Sequence, residues 1–247
     1  MFDILFARTF FIVGGMLLIT AVTARANKAF ETAKEMWITI IGTFAFLFAI
    51  IFFADIYPIN LLLVALFSGL IGWEIGPTIE HFGKRFKLRK YLKSRGIVIK
   101  KGQEITDEQK KEFEQSFDTN QYHQEWHNVI FQALLATALA VFSTAGIVFL
   151  TSIDFSFLGG FLLISLFMLI VMGLLNIFFF RSKIFSLVRA YIGAVIFTLY
   201  LFYDFNRLEK MAGDETWGAA IDIAVNIYLD IINLFLDLLE ILAESDS

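Results

Sequence analysis

The chain has 247 residues, 58% of them hydrophobic, with 30 Phe and a mean hydropathy of +0.71. A water-soluble domain of this length is not that apolar, so the composition points to a polytopic membrane protein. The absence of cysteine excludes disulfides, thiolate metal sites and cysteine nucleophiles. The formal net charge of −4 averages a basic middle against an acidic C-terminal quarter and selects no partner by itself.

Seven apolar stretches are long enough to cross a bilayer. In lipid every backbone amide must be satisfied internally, so the spans are helices and the expected fold is an all-α, seven-transmembrane-helix bundle. The first span covers about 6–24. Ala24-Arg25-Ala26 imitates a leader-cleavage site, but Asp3 offsets Arg8 in the segment before the apolar run, so the span is read as retained. The second covers about 36–54. Pro58 is placed to open the third, about 58–80, where a missing N–H costs nothing.

Residues 82–126 are the sizeable soluble segment, dividing helices one to three (1–81) from helices four to seven (127–247). HFGKRFKLRKYLKSRG is a basic helical stretch that should stop at Gly96, and its charges read as a solvated, topology-fixing face. IVIKKGQEI has the look of a strand and turn. Thr106 and Gln109 form a capping box for a charged helix reaching about Phe117. The later spans are about 128–150, 155–179, 184–206 and 217–242. Gly14, Gly15, Gly159, Gly160 and Gly173 are candidate points of close helix approach.

Loop charge gives an orientation. The connections after helices one, three and five, with the adjoining helix ends, carry seventeen of the 20 Lys and Arg, against Arg207 and Lys210 on the other side. The positive-inside rule then places 82–126 in the cytoplasm, with the N-terminus outside.

The last two spans carry acids where a bilayer disfavours them, Asp204 and Asp230. Intramembrane carboxylates are functional-site candidates by default. On consecutive antiparallel helices they can form a pair that shares a proton or a cation, which makes them candidates for a pH sensor and gate. The alternative is two polar residues turned to internal water.

LYLFYDFNRL (199–208) and IYLDIINLFLDLL (227–239) resemble the paired C-terminal signature of the transmembrane Bax inhibitor motif family. DFSFLGGFLLISLFMLIVMGLLNIFF (154–179) and LFSGLIGWEIGP (66–77) are similar to that family's fifth helix and the end of its third. The resemblance implies that Asp204 and Asp230 form a pH-sensitive latch over a calcium-permeable path. It also implies an inside N-terminus, opposite to the loop-charge reading. One departure matters: bacterial relatives often place an arginine near the end of the second helix, whereas FAIIFFADIYP (48–58) holds no basic residue. Arg207, three residues after Asp204, is the candidate counter-ion. Arg189, about 22 Å along the helix from Asp204, is out of reach.

Asp222, Asn226, Asp230, Asn233 and Asp237 recur every three or four residues, near one face of the last helix. They line a hydrated cation path, or else Asp222 and Asp237 sit at the headgroups and only Asp230 is deep. Glu240 is expected at the interface. Glu74 is either a further path acid or an interfacial residue before Pro77. His123 and His127 could bind a metal with Glu114 or Asp118, but beside Trp126 they fit an aromatic belt equally.

No nucleotide-binding pattern, protease motif or hydrolase triad is present, so no enzyme activity and no cofactor are expected. Two carboxylates do not make a tight Ca²⁺ cage, which takes about six to eight oxygens. Ca²⁺ therefore enters as a transported or weakly bound ion. The leading expectation is a passive, pH-sensitive Ca²⁺ leak in a prokaryotic plasma membrane. The competing one is a non-conducting regulator that binds another membrane protein, a protease or death regulator, through 82–126. The lipid bilayer is the common partner, and nucleic acid is not expected.

Overall fold

The computed structural model describes residues 3–97, 106–108, 111, 122–151 and 153–245. It contains seven helices long and apolar enough to cross a membrane, and no strand among the described residues. They are α1 (Ile4–Ala26), α2 (Ala33–Phe53), α3 (Ile59–Ser94), α4 (His123–Leu150), α5 (Leu158–Leu175, continued by a π-helical turn Asn176–Phe180), α6 (Lys183–Lys210) and α7 (Trp217–Ser245). The expected strand over IVIKKGQEI lies outside the described residues beyond Ile97, as does Gln109 of the expected capping box. Of the charged helix expected to reach Phe117, Asp107, Glu108 and Lys111 are described, and they are helical.

The helix ends follow local chemistry. Asp3 caps α1 by accepting from the Leu5 N–H at 2.8 Å. Thr32 caps α2 by accepting from the Glu35 N–H at 3.0 Å, while Glu35 Oε2 reaches back to the Glu31 N–H at 2.8 Å. Gly96, at φ +79°, closes the turn after α3 in the left-handed region where glycine is favoured.

α3 is longer than the sequence suggests. At 36 residues it measures about 54 Å, well beyond a hydrocarbon core of about 30 Å. The basic stretch expected to open the soluble segment is its continuation, so the boundary at residue 81 falls inside a helix. Pro77 stands inside α3. Its missing N–H leaves the Trp73 carbonyl without an i+4 donor, and the Asn27 side-chain amide supplies one at 2.8 Å. The helix therefore runs on through a residue that ordinarily marks an end.

The chain divides into two compact units. One comprises residues 1–80, 145–156 and 201–230, the other 81–144, 157–200 and 231–247. α3, α4, α6 and α7 contribute to both.

In the first unit α1 packs on α3 with almost no space between backbones. A Cβ at Gly72 would lie 2.5 Å from the Thr20 carbonyl oxygen, and one at Gly76 would lie 1.9 Å from that of Asn27. Gly14, Gly15, Gly160 and Gly173 have nothing within 4 Å of a Cβ, so the expectation of close approach at those positions does not hold. Small residues act where the facing backbone is close, and composition does not say where that is.

The same seam is tied to α7. Thr20 Oγ1 donates to the Ser68 carbonyl at 3.0 Å and lies 2.6 Å from the Tyr228 hydroxyl. Because the Thr20 proton is already used, Tyr228 must be the donor. All three residues are buried. Tyr228→Phe is expected to cost about 1 kcal/mol, one lost hydrogen bond. Thr20→Val is expected to cost about 2 kcal/mol, because the buried tyrosine hydroxyl then has no acceptor. Unfolding midpoints in detergent check the order, and equal effects would remove this assignment.

In the second unit Gly83 lets Trp126 of α4 lie against α3, with a Cβ there 2.7 Å from Nε1. Leu88, Tyr91 and Leu92 form a small core with Ile97 and Tyr122. Elsewhere the exposed surface is apolar, as on Phe48 and Phe52 of α2 and Phe161 and Phe167 of α5. Such a surface fits a lipid environment.

Candidate functional site

The first unit brings Asp204 of α6 and Asp230 of α7 together. The two are neighbouring buried acids, 3% and 6% exposed. An ionised carboxylate only accepts, so two such carboxyls can hydrogen-bond to one another only when one of them holds a proton. Asp230 Oδ2 is buried without a hydrogen-bond partner. Phe205, the next residue on α6, packs against Phe10 of α1 and Phe149 of α4, so the pair has an aromatic flank.

Arg207 does not take the role of direct partner to Asp204. Its ion pair is with Asp222 of α7. The three-residue spacing to Asp204 suggested a local partner, but the neighbouring helix offers an exposed carboxylate instead. Asn226 donates its side-chain amide to the Asp222 carbonyl at 2.9 Å. Asp222 is therefore a surface residue rather than a deep one.

Other acids of the first unit take structural posts. Glu74 accepts from Thr43 Oγ1 at 2.7 Å, which joins α3 to α2. Asp55 accepts from the Gly218 N–H at the start of α7. In the exposed connection after α4, Lys210 and Ser156 hold the Asp154 carboxyl down at about 2. A pair that exposed adds little stability.

The second unit holds an ionic cluster that sequence reasoning did not assemble. Asp237, expected either on a path or at the headgroups, is 3% exposed, and a Cβ at Gly193 of α6 would lie 2.1 Å from its Oδ2. Glu240, expected at the interface, is 5% exposed and accepts from Ser186 Oγ at 2.5 Å. Arg189 Nη2 lies 3.6 Å from Asp237 Oδ1 and 3.8 Å from Glu240 Oε2. Glu244 holds Arg85 Nη2 at 2.5 Å and also pairs with Arg89, whose side chain is buried. The basic stretch of α3 is thus not wholly a solvated face. Glu240 and Glu244 extend the three-and-four spacing of the acid stripe, and Arg85 and Arg89 stand at i,i+4. Those spacings were the available signal.

Asn233 is half-buried on α7. His123 and His127 lie with ring centroids 4.2 Å apart, and His123 Nδ1 is 3.3 Å from Lys87 Nζ. Glu114 and Asp118 lie outside the described residues. Among the described residues no three His, Asp or Glu side chains converge as a metal site.

A family model described as inhibitor of apoptosis-promoting Bax1 matches residues 4–89 and 119–247. Among curated proteins, the Golgi anti-apoptotic protein of Vaccinia virus (strain Lister) is 36% identical over 119 residues, 48% of each chain. Protein LIFEGUARD 4 of Arabidopsis thaliana is 39% identical over 117 residues, 46% of each chain. The chain thus spans about half the length of these relatives. An uncharacterized protein of Helicobacter pylori is 26% identical over 94% of this chain and 82% of its own length.

Proposed function

The chain belongs to the Bax inhibitor-1 family, and on that premise we propose that it is a passive, pH-sensitive path for cations, Ca²⁺ foremost, across its membrane. The observation that carries the reading is the buried, neighbouring Asp204–Asp230 pair on two membrane-spanning helices. With one proton between them the carboxyls draw α6 and α7 together. Once that proton leaves, two like charges at contact distance repel, and the seam must open, hydrate or admit a cation. Arg207, three residues beyond Asp204, is held in an ion pair by Asp222. Their opposite charges are paired with each other, so the proton count of the two aspartates sets the local charge. Loss of the shared proton as pH rises therefore favours the open form.

The test is Ca²⁺ flux into proteoliposomes across about one pH unit on either side of neutrality, beside an Asp204→Asn/Asp230→Asn variant. The wild type should leak with a pH dependence, and the variant, which cannot ionise at either position, should lose that dependence. A leak with the same pH profile in both would remove the aspartates from the gate. No flux above empty vesicles would favour a non-conducting regulator that docks on another membrane protein through 82–126, a reading in keeping with the anti-apoptotic name of the viral relative.

A further inference from the structure

We propose that Asp237, Glu240 and Ser186 form a second cation site, with Arg189 as its built-in competitor. The two acids stand three residues apart on α7, so they share a face. Both are buried, and both converge on a single nitrogen, Arg189 Nη2, at 3.6 and 3.8 Å. Those separations exceed an N–H···O hydrogen bond, commonly about 2.7–3.2 Å, so the arginine offsets part of the acids' charge without being locked by geometry. Its side chain is 30% exposed and has a way out.

The acids have unused capacity. Asp237 Oδ2 is buried with no hydrogen-bond partner and reaches into the notch left by Gly193. Ser186 Oγ already stands 2.5 Å from Glu240 Oε1 and can turn its lone pairs to a cation. Asp237 Oδ1 and Glu240 Oε2, which flank Arg189 Nη2, and the Ser186 hydroxyl on Glu240 supply the nearest oxygens, and water can bring the number to the six or more that Ca²⁺ takes. Mg²⁺ demands a near-ideal octahedron and gives up its water reluctantly, so a mixed, adjustable donor set favours Ca²⁺. Glu244, one turn further on, is held by Arg85 and Arg89 and is not a ligand.

The chemistry is an exchange: the guanidinium swings out and a divalent ion takes its place. With Arg189 in place one of the two carboxylate charges is offset, so binding in the wild type is weak and readily reversed. The choice of Ca²⁺ as probe rests on the cation-path reading. Binding is therefore measured without flux, and also in an Asp204→Asn/Asp230→Asn background, so that each idea can fail alone.

The experiment is Ca²⁺ titration of the purified full chain in detergent, followed by calorimetry and by the shift in unfolding midpoint. Arg189→Gln should tighten Ca²⁺ binding at least tenfold and enlarge the Ca²⁺-induced shift. Arg189→Lys should stay near the wild type. Asp237→Asn should weaken binding at least tenfold, and Ser186→Ala about threefold. If Arg189→Gln binds Ca²⁺ no better than the wild type, the proposal is overturned. Should that variant not fold even with Ca²⁺ present, the wild-type background decides: a Ca²⁺-induced shift that Asp237→Asn and Ser186→Ala both leave unchanged overturns the proposal equally.

Discussion

Gly76→Ala is expected to destabilise the protein by about 3 kcal/mol, a large effect for one methyl group. In an ordinary helix this change is mildly favourable, by roughly 0.5–1 kcal/mol, because alanine loses less backbone entropy. Here the new Cβ would meet the Asn27 carbonyl oxygen at 1.9 Å and that of Ala24 at 2.5 Å. Both obstacles are backbone atoms, and no rotamer change moves them. The end of α1 must shift. The shift also endangers the Asn27 amide that caps the Trp73 carbonyl left open by Pro77. Leaving that part-buried carbonyl unsatisfied adds to the cost. The clash therefore outweighs the helix-propensity gain several-fold. Gly14→Ala is the control, because nothing lies within 4 Å of its Cβ. It should be neutral or slightly stabilising. Unfolding midpoints in detergent compare the two, and similar midpoints would show that α1 and α3 can separate freely at this seam.

The contrast between Gly76 and Gly14 also shows how far the sequence could be read. Seven spans follow from hydropathy, because long apolar runs have few other solutions in lipid. Asp204 and Asp230 stood out for the same reason: a charge in an apolar helix needs an explanation. Which helix faces touch is a different kind of information. Gly14 and Gly72 look alike in composition, yet only Gly72 lies under another backbone. Arg207 illustrates the limit for charges. Three residues from Asp204, it was a sound local partner, but Asp222 on the next helix holds it instead. Pro77 shows a helix signal overridden by packing, since Asn27, fifty residues earlier in the chain, replaces the missing donor. In each case the deciding atom came from a distant part of the chain. Local spacing contains no record of it, and no basic run announces that Arg89 is buried.

Arg89→Met should lower stability by about 3–5 kcal/mol, the usual consequence of removing one partner from a buried ion pair. Glu244 is 8% exposed and Arg89 4% exposed, so water cannot replace what is lost. Arg85 remains on Glu244 Oε1 and keeps the penalty toward the lower end. Glu244→Leu should cost at least as much, because it leaves two arginines facing each other without an acid between them. The informative variant is the double one. In Arg89→Met/Glu244→Leu the buried charge and its partner leave together, and apolar groups of similar size take their space. It should be less destabilised than the sum of the two single changes by about 2 kcal/mol, the coupling expected for groups in direct contact. Additive losses would mean that Arg89 stabilises α3 through other contacts, with Glu244 as a bystander. A strong coupling would mean that the carboxyl-terminal turn of α7 is held to the basic end of α3 by charge in a dry place. High salt would then weaken that attachment little, because screening acts poorly on buried pairs.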